Sequence, residues 1–422
     1  MSHLSYEEAA TRSRQAAKVF QPRSPITTKE LFSGRWDELT SIADAAQQVG
    51  VHVVLYGERG VGKTSLSNVV RPTIEVLDED IGVKQRLIVK AVAASGDTFA
   101  NIWEKLFKEI SWQDNRPTIG LVPSLRPAQT FFDAFGLANH LTVDGVRRTL
   151  GSLAGAFFII DEFDRSSDTA SQPFSDLIKA LSDFSVDCTI MLVGVADTID
   201  SLVSDHASIN RSLVQIHLPR MQYKELGGIL DKAKTTLHIT FDTDARDLIV
   251  RLSQGLPHYT HLIALHAVRH SLLTNFSDHV GRNDAFAALK LAVQQAEHTV
   301  ATKYSAATHS GHKDALFRHV LLACAVSASR ATDALGFFSP ASITLPLSVI
   351  LRRAVEVATF NSHLNEFAQS DNRGQILERA GPPRGFRYRF RDPLLVPYIF
   401  MNASATGLLS DDEILRLLRM EF

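Results

Sequence analysis

Gly57-Glu58-Arg59-Gly60-Val61-Gly62-Lys63-Thr64-Ser65 concentrates more chemistry than any other stretch of this 422-residue chain. Glycine at 57, 60 and 62 opens backbone conformations closed to other residues, so that consecutive N–H groups can converge on phosphate oxygens. Lys63 adds a cation able to reach the outer phosphates, and the Thr64 hydroxyl is of the kind that ligates Mg²⁺. A helix starting near Lys63 would add the positive end of its dipole. A second constellation closes the apolar run Phe157-Phe158-Ile159-Ile160 with Asp161 and Glu162. Asp161 suits holding Mg²⁺ directly or through water, and Glu162 suits orienting and polarising an attacking water.

Both constellations need strands behind them. His52-Val53-Val54-Leu55-Tyr56 is an apolar run that breaks into the glycine loop, and the run before Asp161 reads as a central parallel strand. The two carboxylates would then reach the carboxyl edge of the sheet, where the loop also lies. Arg86–Ala94, Cys188–Gly194 and Ser212–Pro219 read as further strands. Between them, Asp97 reads as the N-cap of a helix carrying Phe99, Ile102, Trp103, Leu106, Phe107 and Ile110. Phe174, Leu177, Ile178, Leu181 and Phe184 mark another helix. Asp114–Gln129, interrupted by Pro117, Pro123 and Pro127, reads as an irregular surface connection, and residues 114–140 receive no function.

A hydrophobic share of 45% with 21% charged residues is an ordinary globular composition, long enough for about two or three domains. A net charge of −2 argues against a globally basic nucleic-acid binder and leaves a local basic face open. Cys188 and Cys324 alone suggest neither a disulfide framework nor a zinc cluster. Met1–Phe20 lacks a signal-peptide core and no apolar run reaches the ~18 residues of a membrane span, so a cytoplasmic protein without membrane contact is expected. Met1–Pro25 is polar and is expected to be partly disordered.

Phe32, Gly34, Arg35 and Glu38, placed upstream of the glycine loop, resemble the F-x-GR-x-x-E opening of origin-recognition-type AAA+ ATPases and of related STAND signalling NTPases. From Phe32 to about Asn402 the chain is similar to AAA+ ATPases of the origin-recognition kind, as they occur in bacterial ATP-binding proteins. The resemblance implies an α/β fold: a P-loop αβα sandwich with a five-stranded parallel sheet, a helical lid and a C-terminal winged helix. It divides the chain into an extension (1–27), an ATPase core (28–220), a lid (221–306) and a winged-helix domain with a tail (312–422). The cofactors it implies are ATP and Mg²⁺, with ATP preferred over GTP because no Asn-Lys-x-Asp guanine-reading motif occurs.

The same resemblance carries roles onto matching positions. Gly57 to Ser65, with Glu58, Arg59 and Val61, become the Walker A loop, and Asp161 and Glu162 the Walker B pair. Arg35 would sit beside the base or its phosphates. Asp197 stands at the strand end where a sensor 1 Asn or Thr is usual, and it reads equally as an N-cap for Thr198–Val203. Arg211 stands where an arginine finger crosses a subunit interface, or where a salt bridge starts a strand. In Gly255-Leu256-Pro257-His258, His258 takes the place of the sensor 2 Arg of G-x-P-R, and of the His found in the lid of STAND proteins. His258 with His261 and His266 with His270 have metal-pair spacing but no Cys or acidic partner nearby, and read as ordinary lid-helix residues.

Beyond a polar break at Thr308–Lys313, helical runs at Ala315–Ser327, Pro340–Val355 and Val357–Ala368 precede strands at 374–380 and 385–391 around Pro382-Pro383. That order is a winged-helix recipe. Alternation sets Phe386, Tyr388 and Phe390 on one face and Arg387, Arg389 and Arg391 on the other, with Arg373, Arg379 and Arg384 nearby. Such arginines suit phosphate contacts with double-stranded DNA, and equally a solvated hairpin face on a module that docks proteins. Two functions follow: an ATP-hydrolysing switch acting on DNA, homo-oligomeric in its ATP state, or a STAND-like signalling or phage-defence regulator that binds an effector or regulatory protein. An ATP-binding scaffold with negligible turnover is the third.

Overall fold

Strands buried on both faces have no polar side to show, and the chain's most apolar runs meet that condition. In a computed structural model describing residues 4–80, 82, 86–112, 129–196, 202, 209–311, 316–330, 332–333, 335–383 and 385–419, these runs form one parallel sheet. Its strands are β1 (His52–Gly57), β2 (Ile88–Val92), β3 (Ala156–Asp161), β4 (Cys188–Val195) and β5 (Leu213–His217), in the order β2–β3–β4–β1–β5. The registers Ile160↔Leu192 and Leu192↔Val54 bring the carboxyl ends of β3 and β1 to the same edge. The expected five-stranded AAA+ type sheet is therefore present.

Two compact units divide the chain: Ile26–Glu58 with Lys63–Pro219, and Met1–Pro25 with Arg59–Gly62 and Arg220–Phe422. The second unit contains α1 (Tyr6–Val19); the first contains the sheet with α2 (Trp36–Ala46), α3 (Lys63–Asp80), α4 (Phe99–Lys108), α5 (Val143–Leu150) and α6 (Ser171–Asp183). Trp103, fully buried on α4, meets Phe158 of β3 edge-on at 5.4 Å and anchors that side of the sheet.

Two local expectations shift. The N-cap of α4 is Thr98, because its hydroxyl accepts from Asn101 N–H while Asn101 returns a bond to the Thr98 N–H; Asp97 instead accepts from Ala94 N–H and pairs with Lys105. Phe184 is 66% exposed rather than inward, since α6 ends one residue earlier and the ring lies 4.3 Å from the Arg147 guanidinium.

In the second unit, the polar N-terminal segment is a helix, not a disordered tail. Ser5 and Glu8 close a capping box at the start of α1, and Ala9, Ser13, Ala16 and Val19 form a narrow buried stripe against α9 (Pro257–Thr274). Around α9 lie α7 (Tyr223–Leu237), α8 (Thr243–Leu252) and α10 (Arg282–Gln295). There follow α11 (His298–Thr308), α12 (Phe317–Arg330), α13 (Pro340–Leu351), α14 (Val357–Gln369), the antiparallel hairpin β6 (Leu377–Ala380) and β7 (Arg387–Phe390), then α15 (Leu395–Ala405) and α16 (Asp411–Arg419). Phe338, between α12 and α13, exchanges two backbone hydrogen bonds of 2.8 Å with Tyr388 and so adds a third extended segment to the hairpin. No helix of the described residues is long and apolar enough to cross a membrane.

Candidate active site

At the end of β1 the backbone runs so close to Leu218 that a β-carbon on Gly57 would come within 2.4 Å of its carbonyl oxygen. Only glycine fits. Gly60 and Gly62 have φ of 86° and 99°, so the turn needs residues free of a β-carbon there as well. The turn ends where α3 begins, at Lys63, whose Nζ donates to the carbonyls of Gly57 (2.9 Å) and Glu58 (2.7 Å). Burial lowers the Lys63 pKa to about 8, against the pull of Asp164, Asp161 and Glu58. Ser65 turns away from the loop and accepts from Ile26 N–H at 3.1 Å.

Asp161 is buried at the tip of β3. Its Oδ1 accepts from Glu162 N–H at 2.9 Å and faces the Thr64 hydroxyl at 3.5 Å, while Oδ2 meets Lys90 Nζ at 2.8 Å and the Ser67 hydroxyl at 3.4 Å. Two elements distant in sequence therefore place a hydroxyl and a carboxylate side by side. Glu162 has φ of 54°, a left-handed conformation uncommon outside glycine, and its half-exposed carboxylate pairs with Arg165 at 2.6 Å. Asp164 accepts from Val195 N–H at 2.8 Å and so ties the turn after β3 to the end of β4.

This donor set fits a magnesium nucleotide. Thr64 and Asp161 would hold the cation, and Lys63 with the loop N–H groups would hold the phosphates. A Mg²⁺ held there would supply Lewis-acid polarisation of phosphoryl oxygens. Lys90, Ser67 and Asp164 were not anticipated. The available signals were a lone cation inside the apolar run Leu87–Val92 and a hydroxyl one helical turn after Thr64.

The remaining expected residues are distributed differently. Arg35 is buried with φ of 64°, and its guanidinium is held by Glu38 at 3.2 Å and by the carbonyl of Pro219, tying the start of α2 to the chain just after β5 rather than reaching out to a ligand. Arg211 lies in a 3-10 turn before β5, with a side chain 82% exposed and Asp183 3.3 Å away. Asp197 and Arg384 lie outside the described residues.

Within the second unit, Arg59 pairs with Glu297 at 2.8 Å and lies 3.7 Å from Asp392, which also holds Lys303 at 2.8 Å. A β-carbon on Gly60 would come within 2.9 Å of Leu394. Val61 is buried. His258 sits in the first turn of α9, where Nδ1 shares a 2.6 Å hydrogen bond with the Pro22 carbonyl and burial pushes its pKa below the ordinary value. On the hairpin, Arg387 pairs with Asp333, Arg389 pairs with Glu378 at 2.7 Å, and Arg391 is exposed.

Residues 48–202 match the family described as AAA domain. No curated protein matches the chain in sequence. Among solved structures, it is similar to a Walker-type ATPase of Pyrococcus abyssi at 14% identity and TM-score 0.50, covering 90% of this chain and 99% of that one. It is also similar to the ORC2 protein of Aeropyrum pernix, solved as ADPNP-ADP complexes, at 12% identity and TM-score 0.47, covering 94% and 98%. A third similar structure is the ORC1 protein of Aeropyrum pernix in complex with DNA, at 15% identity and TM-score 0.44, covering 94% and 97%. The family match is confined to residues 48–202, which hold the glycine loop, the buried carboxylate and four of the five sheet strands, so this segment is similar to an AAA domain.

Proposed function

We propose that this protein is an ATP-hydrolysing molecular switch whose C-terminal winged helix acts on double-stranded DNA. The observation that carries the ATPase reading is the meeting of Thr64 and Asp161 beside the buried ammonium of Lys63. In this reading Lys63 and the loop N–H groups bind the triphosphate, and Glu162 orients the attacking water and takes its proton. Arg211, exposed before β5, serves the site of a neighbouring copy, so that hydrolysis requires a homo-oligomer.

Within the second unit, the guanidinium of Arg59 is held by Glu297 and lies near Asp392. Asp392 lies just before α15, and the order α12, extended Phe338, α13, α14, β6, β7 is that of a winged helix. Core (28–220), lid (221–306) and winged-helix domain (312–422) then share the work, with residues 1–27 as an extension.

The test is Glu162→Gln. ATP uptake should persist while turnover falls by roughly 10² or more. Unchanged turnover would remove Glu162 from the mechanism. One observation favours a second reading, a STAND-like regulator whose winged helix binds a protein. Arg387 and Arg389 already meet Asp333 and Glu378, so the hairpin carries its own counter-charges. DNA that leaves ATPase rate unchanged, with assembly driven by a non-hydrolysable ATP analogue, would select that reading.

A further inference from the structure

A lysine in the middle of an otherwise apolar edge strand, with its ammonium turned to a buried carboxylate, needs a reason to be there. Lys90 lies on β2, opposite Ile159 of β3 and two residues before the Val92↔Asp161 pair. An ammonium has three N–H donors, and all three have acceptors: Asp161 Oδ2 at 2.8 Å, Ser67 Oγ at 2.7 Å and Asn68 Oδ1 at 2.6 Å. The acceptors are themselves fixed. Ser67 donates to the Thr64 carbonyl at 2.9 Å and Asn68 donates to the Ile26 carbonyl at 3.3 Å, so the ammonium sits in a polar cradle built by α3 and β3.

Two consequences follow for Asp161. Oδ2 is engaged by Lys90 at 2.8 Å, which leaves Oδ1 facing the Thr64 hydroxyl. The buried carboxylate is also already neutralised, with Lys63 a second cation close enough to feel it. A divalent cation approaching without a nucleotide would meet two ammonium groups, Lys63 and Lys90, that offset much of the negative charge of Asp161, Asp164 and Glu58. A triphosphate would bring the missing charge with it.

Resting on the ATPase reading above, we propose that Lys90 is a resident counter-cation and positioning residue. It aims Asp161 at Thr64 and keeps the cation site from filling until a nucleotide supplies negative charge. Lys90 touches no reacting atom; it acts through Asp161.

The experiment is a binding isotherm of Mn²⁺ to the nucleotide-free, full-length protein, read by the loss of the free-ion EPR signal. Wild type should bind Mn²⁺ weakly. Lys90→Gln, which keeps a hydrogen-bonding group but loses the charge, should bind on the order of tenfold tighter or more, and Lys90→Arg should match wild type. The gain should vanish in Lys90→Gln/Asp161→Asn, which locates the ion at Asp161. Circular dichroism melting establishes that each variant is folded, and Lys90→Met replaces Lys90→Gln should the latter fail.

Equal Mn²⁺ affinity in wild type and the neutral variants overturns the proposal, as does a gain that survives Asp161→Asn. Uptake of a fluorescent ATP analogue by wild type is measured in parallel. Its failure would remove the ATPase reading while leaving the Mn²⁺ comparison to decide the role of Lys90.

Discussion

The core and the hairpin both pair arginine or lysine with carboxylates, and the pairs differ in what surrounds them. In the core, Arg86 makes a two-pronged contact with Asp78 (3.0 and 3.3 Å) and donates to the Ala46 carbonyl at 2.6 Å, with both side chains at or below 10% exposure. Lys90 and Asp161 are enclosed less evenly, the carboxylate at 3% exposure and the ammonium at 24%. On the hairpin, Arg387 and Asp333 remain 49% and 29% exposed. A charge pair in water gains little because solvent competes for both partners, whereas a buried charge that loses its partner has nowhere to turn. The core pairs therefore fix geometry, while the hairpin pairs leave their arginines exchangeable.

The sharpest way to break this comparison is to remove one cation from each region. Arg86→Met should destabilise the core unit by about 3–5 kcal/mol, because Asp78 is left buried and uncompensated. Arg389→Met should cost less than ~1 kcal/mol. Chemical denaturation of both variants measures the difference, and Arg86→Met/Asp78→Leu should recover most of the loss. Equal costs in the two regions would mean that burial does not decide the worth of these pairs.

Acid should separate the regions next. His52 is fully buried in β1, its Nδ1 accepts from Ile190 N–H at 3.1 Å, and desolvation lowers its pKa from 6.5 to about 3. The unfolded chain takes up a proton below pH 6.5 that the folded chain refuses. Stability therefore falls with decreasing pH by up to about 1.4 kcal/mol per unit from His52, levelling off near pH 3. The hairpin's Asp333, held below the carboxylate range first by the Phe337 N–H, keeps its charge over most of that window. Denaturation between pH 7 and 4 should show a shallower slope in His52→Gln than in wild type.

Base should act on the two regions differently as well. Lys63 loses its proton near pH 8 while its loop is unliganded, so nucleotide binding above that pH must take up a proton, and affinity should fall by up to about tenfold per unit. Calorimetry at pH 9 in buffers of different ionisation enthalpy reads the proton directly. Arginine stays charged throughout, so any DNA affinity carried by the hairpin should not follow this profile.

These contrasts bear on what was legible before the fold was seen. The loop and Asp161 were legible because buried parallel strands are written as continuous apolar runs and a phosphate turn is spelled in glycine. Lys90 was not, since a lone charge in a strand is the ordinary mark of an edge such as β2, and only the fold shows that Asp161 of the neighbouring strand stands beside it. Arg35 shows the same limit: its motif points to a ligand, while its guanidinium finds Pro219, distant in sequence and adjacent only once β5 is placed. The small stripe of Ala9, Ala16 and Val19 hid α1 beneath a polar composition. The hairpin's phase was readable, with Tyr388 and Phe390 buried as alternation requires. The Arg387–Asp333 pair was not, because Asp333 comes from the segment before α13.

The smallest effect on folding should accompany the most informative effect on function. Arg387→Ala/Arg389→Ala removes one exposed and one half-buried pair, and the melting temperature should move little, since such solvent-reachable pairs contribute at most ~1 kcal/mol each. If the hairpin contacts DNA, these arginines exchange carboxylates for phosphates, and the slope of log affinity against log salt should fall by roughly one per lost contact. The ATPase of the isolated protein should stay at the wild-type level while its stimulation by DNA is lost. A variant that binds DNA with the wild-type salt slope would leave Arg387 and Arg389 as internal neutralisers of Asp333 and Glu378, and would transfer the hairpin from nucleic-acid contact to protein docking.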